Sequence, residues 1–487
     1  ILDEWAGCCH RLVQSWSNDA QVLIAMAHVW DALARSPGAM RVWLAKDQVY
    51  ALVRDDMLGS LEALPDTVQA PLLRAVVRCV DATRDGPQAS AEHVRSLYYP
   101  LIVQAAQTRM NAAALAPSPL SVQSALALWC ALAEAADPST SGLVHVHLCT
   151  QLPAMTALVS HQAAQADVQI TAMQAMHALL RAAPDLDAAV LPDLARYTFV
   201  LLESAHACLG NVRDADATQE SVIVTYLHVV EELVRACTEA PMLHTWCLRA
   251  LEIMAPVLSL DVLRIPSISE ALATLIHAML IILRPALLAS AQSAEPVPDL
   301  AAPFDEPCFT RMPAFQLVVR ASMYLIGTCD ARTESVASAV AQGLGYVAEG
   351  LPSLTSPCPA VQVVMDDAIR QLCLLVFLRP MQPAMLTPLI LALRRTVLSR
   401  LDAHALGGAE TLLPSLAASC HTPAYRAAVE QAMQHVWESR APPPVPAPTP
   451  VMTARMQAKA EQAAALALNR TLRPLVQHAR QTLRLHT

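Results

Sequence analysis

Residues 221–237 read SVIVTYLHVVEELVRAC, and this stretch decides the fold class. Its apolar residues recur at steps of three and four, which places them on one side of an α-helix. Its polar residues follow the same steps on another side, so one side is expected to be buried and the other solvated. The apolar series is Ile223, Leu227, Val230, Val234 and Cys237, and the polar series is Thr225, His228, Glu232 and Arg235.

The same helical spacing continues over residues 2–485, and the composition agrees with it. The chain of 487 residues has only 12 glycines, and 54% of its residues are hydrophobic while 4% are aromatic. Few glycines leave little room for tight turns, strand bulges or phosphate-binding loops. An all-α protein with an aliphatic core is therefore predicted.

The length favours a stack of helix pairs over a single compact core, because cores stop growing near 250 to 300 residues. A period of about 40 to 47 residues, typical of HEAT and armadillo repeats, would give roughly ten antiparallel helix pairs. The segment 167–184 has the character of the second helix of a HEAT unit. The predicted fold class is thus a HEAT/armadillo-like α-solenoid.

Composition divides the chain into five predicted regions. Solenoid repeats are expected over residues 1–289 and again over 314–440. An acidic proline-rich loop is expected at 290–313, and the proline-rich stretch APPPVPAPTP at 441–450 is expected to be a linker. Residues 451–487 are predicted to form a basic C-terminal helix.

Phe304, Asp305, Glu306 and Phe309 in the acidic loop are candidate partner-binding residues, because two of only five phenylalanines lie there among acidic residues. The alternative is an ordinary insertion whose phenylalanines pack onto the solenoid. A second candidate group lies in the basic C-terminal helix, which could bind an acidic lipid surface or a partner helix. The alternative there is a solvated helix that caps the solenoid. The candidate residues of this helix are Arg470, Arg473, Arg480 and Arg484.

Charge, cysteine content and the length of apolar runs indicate which partners, location and membrane attachment to expect. The net charge is -9 and the pI about 6.0, which disfavours a nucleic-acid partner. The 13 cysteines are odd in number, and Cys237, Cys247 and Cys373 lie in apolar helical stretches, so a reducing, cytoplasmic location is expected. The longest apolar run, residues 271–283, is too short to span a bilayer, so any membrane attachment would be peripheral.

No pattern in the sequence predicts a catalytic residue, a cofactor site or a metal site. In HVHLC at 145–149, a helix would turn His147 away from His145 and Cys149, which disfavours zinc binding. The glycines of 343–345 fit close helix packing better than a phosphate loop. The adjacent acids Asp55–Asp56, Glu231–Glu232 and Asp366–Asp367 diverge on a helix, so they are interpreted as solvated faces.

Local signals predict two helix starts. Thr422 is expected to be the N-cap residue of a helix with Pro423 in its first position. Ser267 and Glu270 are spaced as a capping box.

A family resemblance adds to these expectations. It is carried by CLRAL at 247–251 followed by LATLIH at 272–277, by the segment 336–357, and by YYP at 98–100. In this order the stretches resemble the C-terminal region of the HEAT repeat-containing protein 5 family and its fungal relatives, the large accessory proteins of a clathrin adaptor. The chain begins at Ile1 without an initiator methionine, which fits a fragment of a longer protein.

The resemblance implies a non-enzymatic scaffold that helps the clathrin adaptor associate with trans-Golgi and endosomal membranes during endosome-to-Golgi retrieval. It implies adaptor subunits as protein partners and a cytoplasmic location with peripheral membrane association. It transfers no binding residues to this sequence. The alternatives are a karyopherin-type nuclear transport receptor, another HEAT-repeat assembly scaffold, and an enzyme with an atypical pocket.

Overall fold

A computed structural model describes most of the chain, and all regular elements within the described part are helical. The described residues are 2–84, 88–137, 142–183, 188–210, 215–293, 314–328, 334–351, 359–378, 383–402, 416, 422–439 and 450–484. The candidate residues Phe304, Asp305, Glu306 and Phe309 lie outside them, as does the greater part of the proline-rich segment 441–450. The helices divide between two compact units, Ile1–Glu239 and Ala240–Thr487.

The α-helices of the first unit are α1 Leu2–Ser15, α2 Ala20–Leu33, α3 Pro37–Leu44, α4 Asp47–Ala51, α5 Asp66–Asp81, α6 Gln88–Leu115, α7 Pro119–Ala135, α8 Gly142–His161, α9 Ala166–Ala182, α10 Leu191–Leu209 and α11 Ala217–Ala236. Those of the second unit are α12 His244–Met254, α13 Leu260–Leu263, α14 Pro266–Ile282, α15 Arg284–Ser293, α16 Ala314–Thr328, α17 Glu334–Ala348, α18 Pro359–Phe377, α19 Pro383–Asp402, α20 Pro423–Glu438 and α21 Pro450–Arg484.

The first unit is a two-layer stack of helices. In one layer α2 packs on α5, α5 on α7, α7 on α9 and α9 on α11. In the other layer α6 packs on α8 and α8 on α10, and neighbours along the chain pack across the layers. Contacts between every second helix are the hallmark of stacked helical hairpins. The predicted all-α solenoid class is confirmed.

The helices of the second unit also alternate between two layers, and one of them, α16, is surrounded by its neighbours. One layer runs through α14, α17, α19 and α20, and the other through α12, α16, α18 and α21. Helix α16 also contacts α14, α15 and α17, and its residues from Ala314 to Met323 are all buried. A helix buried on all sides needs partners for its polar side chains, and Gln316, Arg320 and Ser322 are among the buried residues of α16.

The stretch 221–237 forms helix α11 and the residue that follows it, with the predicted sides. All five members of its apolar series are fully buried. The helix begins with a capping box in which Asp216 accepts a hydrogen bond from the Gln219 backbone N–H at 2.8 Å, and the Gln219 side chain accepts one from the Asp216 N–H at 3.2 Å. Both bonds satisfy donors that the first helical turn leaves open.

One predicted helix start is confirmed and the other is wrong. The Thr422 hydroxyl accepts a bond from the Tyr425 N–H at 3.3 Å, with Pro423 in the first helical position of α20. Helix α14 begins instead at Pro266, and Ile265 is its N-cap residue. Pro266 already has the backbone angle of a first helical residue, so Ser267 lies within the first turn and does not cap it.

The glycines at 343 and 345 allow close approach between helices, as predicted. A Cβ atom on Gly343 would lie 2.9 Å from Cβ of Leu280 on α14. One on Gly345 would lie 3.0 Å from Cδ of Arg395 and 3.4 Å from Cα of Ala392, both on α19. Helix α17 can therefore contact α14 and α19 at short distance.

No single helix in the described part of the chain is long and apolar enough to cross a membrane. Helices α14 and α15 reach that length only together, and the chain bends by 83° between them. The nine cysteines described by the structure are free thiols, and Cys237, Cys247 and Cys373 are buried as predicted.

Candidate functional site

A row of charged side chains crosses the outer face of the layer formed by α2, α5, α7, α9 and α11. We call this row the charged ladder. Its members come from the C-terminal half of each helix, so neighbouring helices present them side by side. The ladder consists of Asp31, Arg74, Arg78, Glu134, His177, Arg181, His228, Glu231, Glu232 and Arg235.

Two ion pairs of the charged ladder join three successive helices of the layer, α2, α5 and α7. Arg78 Nη1 on α5 donates to Asp31 Oδ1 on α2 at 2.6 Å. One turn earlier on α5, Arg74 donates to the Glu134 carboxylate on α7. Arg74 and Arg78 are four residues apart and thus lie on one face of α5, yet they pair with helices on opposite sides of it. Helix α5 therefore links its two neighbours at the surface.

At the other end of the charged ladder, a pair of histidines joins α9 to α11. The rings of His177 and His228 meet edge to face with their centroids 6.3 Å apart. His177 Nε2 lies 3.9 Å from Glu232 Oε1, and His228 Nδ1 lies 3.8 Å from Glu231 Oε2. Arg235 Nη2 donates to Glu231 Oε1 at 2.6 Å, which makes Glu231 the best anchored member of the ladder.

The local environment disfavours the charged forms of His177 and Glu232. Burial lowers the pKa of His177, and the charges of His228 and Arg181 lower it further. Burial raises the pKa of the nearby Glu232 carboxyl. At pH 7 the imidazole of His177 is therefore largely uncharged, and it can donate or accept a hydrogen bond.

Most ladder side chains remain accessible to solvent. The exposed fractions of the side chains are 44% for Arg78, 42% for Glu134 and 55% for Arg235, whereas Glu231 is only 10% exposed. Exposed ion pairs contribute about 0–1 kcal/mol to stability. The ladder thus contributes little to the folding of the unit, and its charged groups can exchange partners with another molecule.

The arginines that the sequence singles out in the C-terminal helix occupy different environments. Arg470 and Arg473 are exposed, although Arg473 Nη2 also donates to Thr387 Oγ1 of α19 at 3.0 Å. Arg480 is half-buried and donates to the carbonyl oxygens of Val376 at 3.0 Å and Leu375 at 3.3 Å. It thereby satisfies carbonyls in the last turn of α18. Arg484 is the last residue of α21.

The interpretation of adjacent acids as solvated faces is wrong for one pair and incomplete for another. Asp366 is 9% exposed and accepts two bonds from Arg400, whose side chain is fully buried. Its neighbour Asp367 is also mostly buried and pairs with Arg370. Helix α18 packs between α16 and α19, so its acids enter the interior with basic partners. Glu231 is buried by the same kind of packing in the first unit.

The ligand-like stretch at 145–149 is helical, as predicted, with His145 buried and His147 half-buried in α8. Burial lowers the pKa of His147 and raises that of the Cys149 thiol to about 11. Across the part of the chain that the structure describes, no group of three or more His, Cys, Asp or Glu side chains is arranged to hold a metal ion.

Sequence reasoning found the α11 part of the ladder as the solvated side of residues 221–237, but it missed the remainder. A signal was present, since Arg78, Glu134 and Arg181 each lie near the C-terminal end of an apolar helical stretch. Their alignment depends on which helices are neighbours in the layer, and that order is set by tertiary packing.

Comparison with known proteins yields a likeness of structure but none of sequence. No known protein family matches the chain, and no curated protein matches it. Among solved structures, it is similar to a protein described as a circular tandem repeat protein with novel repeat topology and enhanced subunit contact surfaces. The two share 12% sequence identity over 100% of this chain and 98% of that chain, with a TM-score of 0.35. A likeness at this level carries no argument about function.

The fold and the candidate site together define the class of protein as an all-helical repeat protein of the solenoid type. That assignment rests on the layered packing of its helices. The resemblance to the HEAT repeat-containing protein 5 family stays a prediction.

Proposed function

We propose that this chain is a non-enzymatic scaffold that binds a partner protein on the charged ladder of its first unit. The observation that carries the proposal is the continuity of the ladder across successive helices of one layer, joined by pairs such as Arg78–Asp31 and Arg74–Glu134. Stacked helices offer extended surfaces that bind long protein segments through many modest contacts.

The chemistry of the ladder selects the kind of partner. Helices of one layer lie about 8–10 Å apart, so the ladder offers cationic and anionic groups in turn at that spacing. A segment that crosses the layer with charges of both signs would pair with Arg74, Glu134 and Arg181 in turn. A uniformly acidic or basic segment would meet repulsion at every second helix. The partner is therefore an extended or helical protein segment of mixed charge.

In its specific form, the proposal is a cytoplasmic scaffold for vesicle traffic that associates peripherally with Golgi or endosomal membranes. Its partners would be subunits of a clathrin adaptor, and its task would be the retrieval of cargo from endosomes to the Golgi. The ordered resemblance over 98–100, 247–277 and 336–357 supports this form. The two-layer packing of the first unit supports the broader binding role.

Affinity capture with the purified chain, followed by mass spectrometry, tests the binding role of the charged ladder and the role in vesicle traffic. The test variant is Arg74→Glu with Arg78→Glu, which reverses two charges of the ladder. The matched control is Arg249→Glu with Arg264→Glu, because those side chains are 65% and 74% exposed in the second unit and the net charge changes equally. Circular dichroism checks that both variants are folded.

We expect clathrin adaptor subunits in the wild-type and control captures, and their loss in the ladder variant. Adaptor subunits retained by the ladder variant would contradict the ladder as the binding surface. Capture of a small nuclear GTPase with nuclear pore proteins would contradict the trafficking role and favour a nuclear transport receptor.

A further inference from the structure

The C-terminal helix α21 has two chemically different sides. Its apolar seam packs onto the second unit, where α21 contacts α18, α19 and α20. The seam is reinforced by hydrogen bonds from Asn469 to Thr387 at 3.1 Å and from Arg480 to the end of α18. The members of the apolar seam are Leu468, Leu472, Val476 and Ala479, all of them buried.

The other side of α21 carries a basic stripe. Lys459, Arg470 and Arg473 are exposed, and their spacing places them on one line along the helix. At about 100° per residue, the three positions lie within an arc of about 60°. At 1.5 Å per residue, the part from Lys459 to Arg473 extends over roughly 21 Å.

One exposed apolar residue lies within the basic stripe. Leu466 is 53% exposed and falls on the line between Lys459 and Arg470. The stripe therefore combines three exposed cations with one exposed apolar side chain, on a chain whose net charge is -9.

From this arrangement we infer that the basic stripe of α21 docks the second unit onto an anionic phospholipid surface. The apolar seam of α21 is already occupied by α18, α19 and α20, so the exposed side cannot offer the apolar seam that a partner helix needs. What remains is a side with three exposed cations, which is complementary to an anionic surface. Basic residues close to such a surface contribute about 1 kcal/mol each.

Leu466 distinguishes a lipid surface from a nucleic acid. Between basic side chains that contact headgroups, an exposed leucine can enter the boundary between headgroups and acyl chains. A phosphate backbone has no comparable place for it, and binding to nucleic acid depends on cations alone. The stripe therefore fits lipid better than DNA or RNA.

Sedimentation of the full chain with vesicles tests the inference. We expect the wild type to sediment with vesicles of phosphatidylcholine and phosphatidylserine, and to remain in solution with phosphatidylcholine alone. Salt at about 1 M should release it, because the Debye length falls to about 3 Å. Failure of the wild type to bind the anionic vesicles at low salt would overturn the inference.

Substitutions locate the binding surface. Lys459→Ala with Arg470→Ala should weaken the partition onto anionic vesicles about 30-fold, which corresponds to two contributions of about 1 kcal/mol. Arg249→Ala with Arg264→Ala removes two exposed arginines elsewhere in the unit and should leave the partition unchanged. Equal loss in both variants would show a general charge effect and overturn the inference.

The substitution Leu466→Ser distinguishes binding to a lipid surface from binding to nucleic acid. It should weaken vesicle binding roughly fivefold to tenfold, since about half of a leucine side chain is available to insert. Binding of a double-stranded DNA fragment serves as the comparison. Vesicle binding that is insensitive to Leu466→Ser, together with DNA binding that depends on Lys459 and Arg470, would overturn the inference in favour of a phosphate backbone.

Discussion

One charged pair between helices of the second unit lies in the opposite environment from the pairs of the charged ladder in the first unit. In the first unit the pairs Arg78–Asp31 and Arg74–Glu134 lie on the outer face of one layer, where water reaches them. In the second unit the pair Arg400–Asp366 lies between α18 and α19, with the guanidinium fully buried. Both kinds of pair connect neighbouring helices.

The difference shows that the same residue types serve different roles according to burial. An exposed pair gains little from Coulomb attraction in water and is open to competition by a partner. Removing one member of a buried pair is strongly destabilising, because the remaining charge would stay desolvated without its partner. The charges of the ladder in the first unit therefore stay accessible to other molecules, whereas the Arg400–Asp366 pair of the second unit is part of its interior packing.

The largest expected effect comes from breaking the buried pair. Asp366→Ala leaves the Arg400 guanidinium buried without its carboxylate and should lower the free energy of unfolding by about 3–5 kcal/mol. Denaturant unfolding followed by circular dichroism measures the change. Asp366→Leu with Arg400→Met should recover most of the loss, because apolar side chains replace both charges. A loss under 1 kcal/mol for Asp366→Ala would contradict a structural role of the pair.

The first unit contains a buried carboxyl of its own, and it predicts a pH dependence. Asp81 accepts hydrogen bonds from the Tyr99 hydroxyl and, at 2.7 Å, from the Asp137 N–H. Burial outweighs these bonds and raises the pKa of Asp81 from its ordinary 3.8 to about 6. At pH values between about 4 and about 6, the Asp81 carboxyl is therefore protonated to a greater extent in the native state than in the unfolded chain.

The free energy of unfolding should therefore fall as the pH rises from about 4 to about 6, and the contribution of Asp81 should be level above that range. The change from this group is up to about 3 kcal/mol. Asp81→Asn should flatten the pH profile measured by denaturant unfolding, while Asp55→Asn, at an exposed carboxyl, should keep it. Equal profiles for wild type and Asp81→Asn would contradict this prediction.

Close helix packing in the second unit predicts an intermediate effect. Gly343→Ala places a Cβ atom 2.9 Å from that of Leu280, so α17 and α14 must separate slightly. We expect a loss of about 1–3 kcal/mol, measured by thermal and denaturant unfolding. Gly38→Ala is the control in the first unit, since no atom lies within 4 Å of its Cβ position and alanine favours helix α3. A stabilising Gly343→Ala would refute the close approach.

The smallest effect on stability is expected at the charged ladder. Glu134→Ala removes the partner of Arg74 at a site where the side chains of Arg74 and Glu134 are 35% and 42% exposed. The free energy of unfolding should change by less than about 1 kcal/mol. A loss as large as that of Asp366→Ala would show that the ladder is structural, and it would remove the contrast between the two units.

The sequence predicted helices reliably where one side of a helix is buried and the other solvated. Helix α11 and the capped start of α20 at Thr422 agree with the pattern, because period and capping are local properties. Helix α16 shows the limit. It is buried on all sides, including Gln316 and Arg320, and no local periodicity can reveal which neighbours surround it.

Candidate sites were predicted less completely than the fold. The solvated side of residues 221–237 contains His228 and Glu232, which belong to the ladder, but their partner His177 lies some fifty residues earlier in the chain. The divergence of adjacent residues on a helix predicts a solvated position for Asp366 and Asp367. The buried guanidinium of Arg400 reverses that assignment, and only packing brings it to Asp366.

Helical period and residue propensity establish from the amino-acid sequence that this protein is all-helical, with an aliphatic core and few glycines, because both act over a few residues. The composition also establishes that its C-terminal helix is basic. Which charges face water and which face one another depends on tertiary packing. Layer order, burial and the exposed side of α21 arise from contacts between residues far apart in the chain, and the free energy of a charge depends on those contacts.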